Sequence, residues 1–174
     1  RQDRQDFMIC VADDGSTHAT RQIVDDWISK LGPDRLRHVW HPDEGFQKNR
    51  ILNRAIASSS ADYLIFLDGD CVAQPRFVSR HLEARRVGQF CTGGVVRLSA
   101  DATATVNPEN IKSAEIFGRP WLLGHKAIAG WSSMLKAGLV NGHMARFLEL
   151  ISPVKRTWNG GNSSGWRSDL LAVN

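Results

Sequence analysis

The sequence predicts an α/β fold, a mostly parallel sheet with helices on both faces, from two short apolar runs that end in acidic loops and from the amphipathic segments that separate them. Phe7-Met8-Ile9-Cys10-Val11-Ala12 is continuous and apolar and stops at Asp13-Asp14-Gly15-Ser16, as a buried parallel strand running into a loop does. Ile23, Val24, Trp27, Ile28 and Leu31 then recur at helical spacing before the stop signal Gly32-Pro33. Tyr63-Leu64-Ile65-Phe66-Leu67 is the most strand-like stretch of the chain and leads straight into Asp68-Gly69-Asp70.

Between these runs, Leu36 to Trp40 reads as a second strand, and after the turn-like His41-Pro42-Asp43-Glu44-Gly45 a helix carries Leu52, Ala55 and Ile56 on one face. Pro75 suits the first turn of a helix that buries Phe77, Val78 and Leu82. From Ile111 to Ile151 the character changes to a longer helical region, with Trp131, Met134, Leu135, Leu139, Met144, Phe147, Leu148 and Ile151 at helical spacing. Core packing is the default explanation of that pattern. Its interspersed Lys112, Arg119, Lys126, Lys136, Arg146, Lys155 and Arg156 also suit peripheral contact with an anionic membrane surface.

The 174 residues, 42% of them hydrophobic, suit a single domain over 1–174. A formal charge of +4 favours anionic partners such as nucleotide diphosphates or acidic lipid. No zinc-finger spacing and no aromatic RNA-binding signature is present, so no nucleic-acid partner is expected. The three cysteines form no CxxC pair, which fits a reduced, cytoplasmic setting. No apolar run is long enough for a membrane span, so association with the inner face of a membrane would be peripheral.

In an open parallel sheet, ligands bind beyond the carboxyl ends of the strands, where both acidic loops are expected to lie. Asp68 and Asp70 offer hard oxygen donors that suit Mg2+ or Mn2+, and Gly69 between them lets the backbone turn tightly and approach a ligand. Asp13 and Asp14 can accept hydrogen bonds from a base or ribose, although Asp-Asp-Gly-Ser also reads as turn chemistry before a helix. Trp158 offers an aromatic face for a sugar ring, with ordinary packing as the alternative. Cys71 reads as a small buried residue, and the six histidines show no metal-binding spacing.

Taken in order, Val11-Ala12-Asp13-Asp14-Gly15-Ser16-Thr17, then Glu44-Gly45-Phe46 with Lys48, Arg50 and Asn53, then Tyr63 to Asp70, and finally Gly160-Gly161-Asn162 with Arg167, Asp169, Leu170 and Leu171, the chain resembles the family 2 glycosyltransferases of the Rossmann-like GT-A fold. The resemblance implies an inverting, metal-dependent transfer from a nucleotide-sugar, commonly a UDP-sugar, to a glycan or lipid-linked acceptor in cell-surface polysaccharide synthesis. It implies a nucleotide-sugar-binding part over 1–100 and an acceptor-side part over 101–174. By position, Asp13 and Asp14 would contact the nucleoside, and Lys48 or Arg50 would lie near ribose or phosphate. Asp68 would reach ribose or metal, with Gly69 beside the donor, and Asp70 would ligate the metal. Gly160, Gly161 and Asn162 would shape the floor near diphosphate and acceptor, with Trp158 on the acceptor side. Lys48 and Arg50 depart from the family's usual basic spacing and read equally as solvated helix residues.

Relative to the family pattern, the first strand is expected before Arg1, and the acidic base after Asn174, so the chain is expected to be a fragment that is incomplete for catalysis. Two other readings compete. Leu64 to Val72 also resembles the strand-then-DxD nucleophile motif of haloacid dehalogenase-type phosphatases, which would use Asp68 and Asp70. A nucleotide- or sugar-binding module without catalysis is the non-enzyme alternative.

Overall fold

The computed structural model describes residues 2–127, 157–158 and 160–173. The expected helical positions from Trp131 to Ile151, and the basic residues Lys136, Arg146, Lys155 and Arg156, lie outside the described residues. Within them the elements run β1 (Ile9–Asp13), α1 (His18–Leu31), β2 (Leu36–Trp40), α2 (Lys48–Ser58), β3 (Tyr63–Leu67), α3 (Phe77–Ala84) and β4 (Cys91–Thr92). They continue with α4 (Ala100–Ala104), α5 (Pro108–Lys112), a 3-10 turn (Glu115–Phe117), α6 (Arg119–Gly124), β5 (Asn162–Trp166) and α7 (Arg167–Ala172). Strands and helices alternate through the first half as expected, giving a mixed α/β architecture.

The chain divides into two compact units, one of Arg4–Leu64, Val87–Gln89 and Gly165–Asn174, the other of Arg1–Asp3, Ile65–Arg86 and Phe90–Ser164. In the first, β1 and β2 pair in parallel, with Ile9 opposite Leu36 and Asp13 opposite Trp40. Helix α1 makes the crossover that parallel pairing requires and ends where the Gly32 N–H donates to the Ile28 carbonyl at 2.8 Å. Val24, Leu36, Ile51 and Ile56 are the buried apolar residues of this unit. The expected apolar stripe of α1 is helical, but Ile23 and Trp27 are 60% and 51% exposed. Strand β1 is likewise not buried throughout, since Ile9 and Cys10 are exposed. Among the described residues β1 pairs only with β2, a sheet too narrow to cover a full helical stripe, and periodicity marks a face without marking what covers it.

The other three strands run in the order β3-β5-β4, and within the second unit β4 pairs antiparallel with β5 through Cys91 opposite Ser164 and Thr92 opposite Ser163. Helix α3 starts two residues after Pro75, so the proline precedes the first turn instead of occupying it. Its first turn is tied to the start of the chain: Gln2 Oε1 accepts from the Val78 N–H at 3.1 Å, and Asp3 Oδ2 accepts from the Ser79 hydroxyl at 2.7 Å. A carboxylate there also complements the helix dipole. A separate apolar cluster of Ala102, Ile116, Trp121, Leu122 and Ala127 holds α4 to α6 together. Helix α5 begins in a full capping box formed by Asn107 and Asn110, with Pro108 in its first turn.

Candidate functional site

Each acidic motif sits at the carboxyl end of a strand, and each is held by partners within its own unit. Asp13 is the last residue of β1 and only 5% exposed. Its Oδ1 accepts from Ser16 N at 2.8 Å, and its Oδ2 accepts from His38 Nε2 at 2.9 Å. Half-buried Asp14 accepts from His41 Nε2 at 2.6 Å through Oδ1 and from Gln47 N at 2.8 Å through Oδ2. Burial alone would raise the Asp13 carboxyl, but hydrogen bonds from Ser16 and His38 outweigh it and hold the group below its ordinary 3.8. Gly15 makes the loop feasible. Its φ of +83° is left-handed, and a Cβ there would stand 2.5 Å from the Asp43 Cα.

The two basic candidates differ in surroundings. Lys48 opens α2 and is half-buried, whereas exposed Arg50 pairs through Nη1 with Glu44 Oε2. The guanidinium therefore already braces the loop that precedes its helix.

In the other unit, Asp68 is half-buried and Gly69 and Asp70 are exposed. A turn closes over them as Cys71 N donates to the Asp68 carbonyl at 3.1 Å, and Asp68 N donates to the Gly161 carbonyl at 3.4 Å. Gly69 sits in this turn without a left-handed φ, and a Cβ there would meet open space. The turn does not require glycine, because the dihedral it adopts is open to other residues. Half-buried Cys71 points Sγ at Asp70 Oδ1 across 3.7 Å. Among the described residues no group of three or more His, Cys, Asp or Glu side chains could hold a metal ion. Two carboxylates on an open strand end nevertheless fit Mg2+ or Mn2+, which take one or two carboxylates and fill the remaining positions with phosphate oxygens and water.

Gly161 and Asn162, by contrast, are tightly held. Gly161 is buried and lies against Asp68, while Gly160 is half-buried. Asn162 Nδ2 donates to the Gly94 carbonyl at 2.9 Å, and its Oδ1 accepts from His81 Nε2 at 2.9 Å. His81 Nδ1 in turn accepts from Ser164 Oγ at 2.7 Å. Gly93 is shaped to this amide: a Cβ there would come within 2.4 Å of Asn162 Nδ2. Trp158 meets Phe66 and Phe90 edge to face at 5.2 and 5.6 Å and stays 39% exposed, so packing and an open aromatic surface coexist at this residue.

Sequence reasoning missed His38, His41, His81 and Gly93. The histidines lack metal-binding spacing because they pair with side chains distant in sequence. For His38 and His41 one signal was available, since His38 lies within β2 opposite Val11 and His41 just beyond its end, and parallel pairing brings that strand beside the one that leads into the Asp13-Asp14 loop. Arg167, grouped with the fourth motif, is structural here: its guanidinium donates to the Ile56 and Ala57 carbonyls at 3.0 Å, closing the last turn of α2.

The family model for glycosyl transferase family 2 matches residues 1–131. The chain belongs to that family, and its fold is accordingly of the GT-A, Rossmann-like kind. Similar proteins include validoxylamine A glucosyltransferase of Streptomyces hygroscopicus subsp. jinggangensis, 35% identical over 80 residues, which are 46% of this chain and 18% of that protein. An uncharacterized glycosyltransferase of Nostoc sp. is 27% identical over 82 residues, 47% of this chain and 24% of its own. Chondroitin synthase of Escherichia coli is 30% identical over 78 residues, 45% of this chain and 11% of its own. The aligned stretch thus spans at most about a quarter of any of these relatives. No described helix is long and apolar enough to cross a membrane.

Proposed function

We propose that the chain binds the donor in an inverting, metal-dependent transfer of sugar from a nucleotide-sugar, most simply a UDP-sugar, to a glycan or lipid-linked acceptor. The observation that carries this reading is the exposed Asp68-Gly69-Asp70 turn at the end of β3, braced through Asp68 N by the Gly161 carbonyl. Family membership supports the nucleotide-sugar, and the names of the relatives, glucosyltransferase and chondroitin synthase, support a sugar or glycan acceptor. They also favour this reading over the phosphatase alternative.

In this reading Asp70, with Asp68, holds Mg2+ or Mn2+, which supplies positive charge against the leaving diphosphate. Asp14 contacts the nucleoside, and buried Asp13 stands behind it as the brace of the loop. Lys48 lies near ribose or phosphate, and Arg50 joins it only by leaving Glu44. The Trp158 surface and the Gly160-Gly161-Asn162 segment serve the acceptor side. The thiols of Cys10, Cys71 and Cys91, which are not in disulfides, fit a cytoplasmic reaction, and the basic residues suit contact with the inner membrane face.

Calorimetric titration with UDP, with and without Mn2+, tests the reading. Metal-dependent binding that Asp70→Ala lowers at least tenfold is the expected result. Binding indifferent to metal and to this substitution would overturn it.

A further inference from the structure

Outside the groups assigned above, one buried titratable side chain is connected to the metal turn by an unbroken series of contacts within a single unit. His81, on α3, is 7% exposed and packs edge to face on Phe77 at 4.7 Å. Its tautomer follows from its neighbours. The Gly94 carbonyl can only accept, so it orients the Asn162 amide with Nδ2 toward itself and Oδ1 toward His81. An acceptor facing His81 Nε2 requires the proton on that nitrogen. The unprotonated Nδ1 is then free to accept from the Ser164 hydroxyl. The Gly161 carbonyl, adjacent to Asn162 in the chain, receives the Asp68 N–H.

We propose that His81, as the neutral Nε2–H tautomer, is the positioning residue that holds Gly160-Gly161-Asn162 against Asp68-Gly69-Asp70, acting through the Asn162 amide. The inference deepens the donor-binding reading and rests on it for its consequence, whereas the positioning itself can be observed without any ligand. Burial supports it by pushing the imidazole below its usual 6.5 and keeping it uncharged, against a smaller opposing effect of the Asn162 hydrogen bond. Gly93 belongs to the same device, because only a residue without Cβ leaves room for the amide.

The test compares the wild-type chain with His81→Gln and His81→Leu. A glutamine amide can donate to Asn162 Oδ1, and leucine cannot. In 15N spectra of the wild type the imidazole should show the Nε2–H tautomer, and an Nδ1–H tautomer overturns the proposal outright. His81→Leu should shift the backbone amides of Asp68, Gly69 and Asp70 and weaken Mn2+-dependent UDP binding about tenfold, the effect of one hydrogen bond. His81→Gln should restore both to near wild type. Wild-type amide positions in His81→Leu, or a glutamine variant as impaired as the leucine one, would refute it. Should His81→Leu not fold, Gly93→Ala displaces the same amide, and an undisturbed Asp68 amide in that variant counts against the proposal. If no form binds UDP, the donor reading fails while the amide shifts still judge the role of His81.

Discussion

His38 and His41 each donate through Nε2 to one of two adjacent carboxylates, so the Asp13-Asp14 loop owes its shape to side chains on and just beyond β2. His41 is fully enclosed, and its Nδ1 has no hydrogen-bond partner among the described residues. Replacing it with alanine removes the partner of an Asp14 oxygen and leaves a space behind it. His41→Ala should lower unfolding free energy by about 2 kcal/mol, measurable by urea denaturation. Gly93→Ala should cost about 1–3 kcal/mol in the same assay, because the new methyl overlaps the Asn162 amide. Arg50→Ala behaves differently. Its pair with Glu44 is exposed on both sides, so stability should change by less than ~1 kcal/mol. A fall in UDP affinity in that variant would then report a donor contact and not unfolding.

Helix ends account for the behaviour of whole elements. At the end of α2 the Ile56 and Ala57 carbonyls accept from the Arg167 guanidinium, and the Ser58 carbonyl accepts from Arg37 Nη1 at 2.8 Å. These cations at a C-terminus satisfy orphan carbonyls and complement the dipole. Arg167→Ala should destabilise the protein by about 1–2 kcal/mol, with faster amide exchange concentrated in the last turn of α2 and the first of α7. Asn107→Ala, which breaks the capping box of α5, should cost about 0.5–2 kcal/mol and leave UDP binding unchanged. Such ends were partly readable from sequence: Gly32-Pro33 is a local signal, whereas the Arg167 contact joins segments too far apart for any window to detect.

At the scale of the molecule, two buried groups, His81 and Asp13, bias the response to acid, and both favour neutral solution. His81 has a folded value below its usual 6.5, so the unfolded chain binds that proton first, and stability present above about pH 6.5 declines as pH falls below it. Asp13 is held below 3.8, so its contribution is present above that value and is lost as pH falls further, through its folded value. Urea midpoints measured from pH 8 to pH 3 should therefore drop in two stages, and His81→Gln should remove the upper one. A single fall confined to pH below 4 in the wild type would contradict the burial of His81.

The sequence by itself determined the alternation of strands and helices, the two acidic loops at strand ends and the family, because hydrophobic period and the order of short motifs are local properties that survive without coordinates. Tertiary structure alone decided what surrounds those motifs. It buried Asp13 and left Asp70 open, left much of the α1 stripe exposed and made Gly93 indispensable to the Asn162 amide. It also turned histidines without a recognisable spacing into the partners of Asp13, Asp14 and Asn162. The physical reason is the same each time: hydrogen-bond partnership and burial depend on which distant segments meet, and strand pairing and helix packing settle that only once the chain has folded.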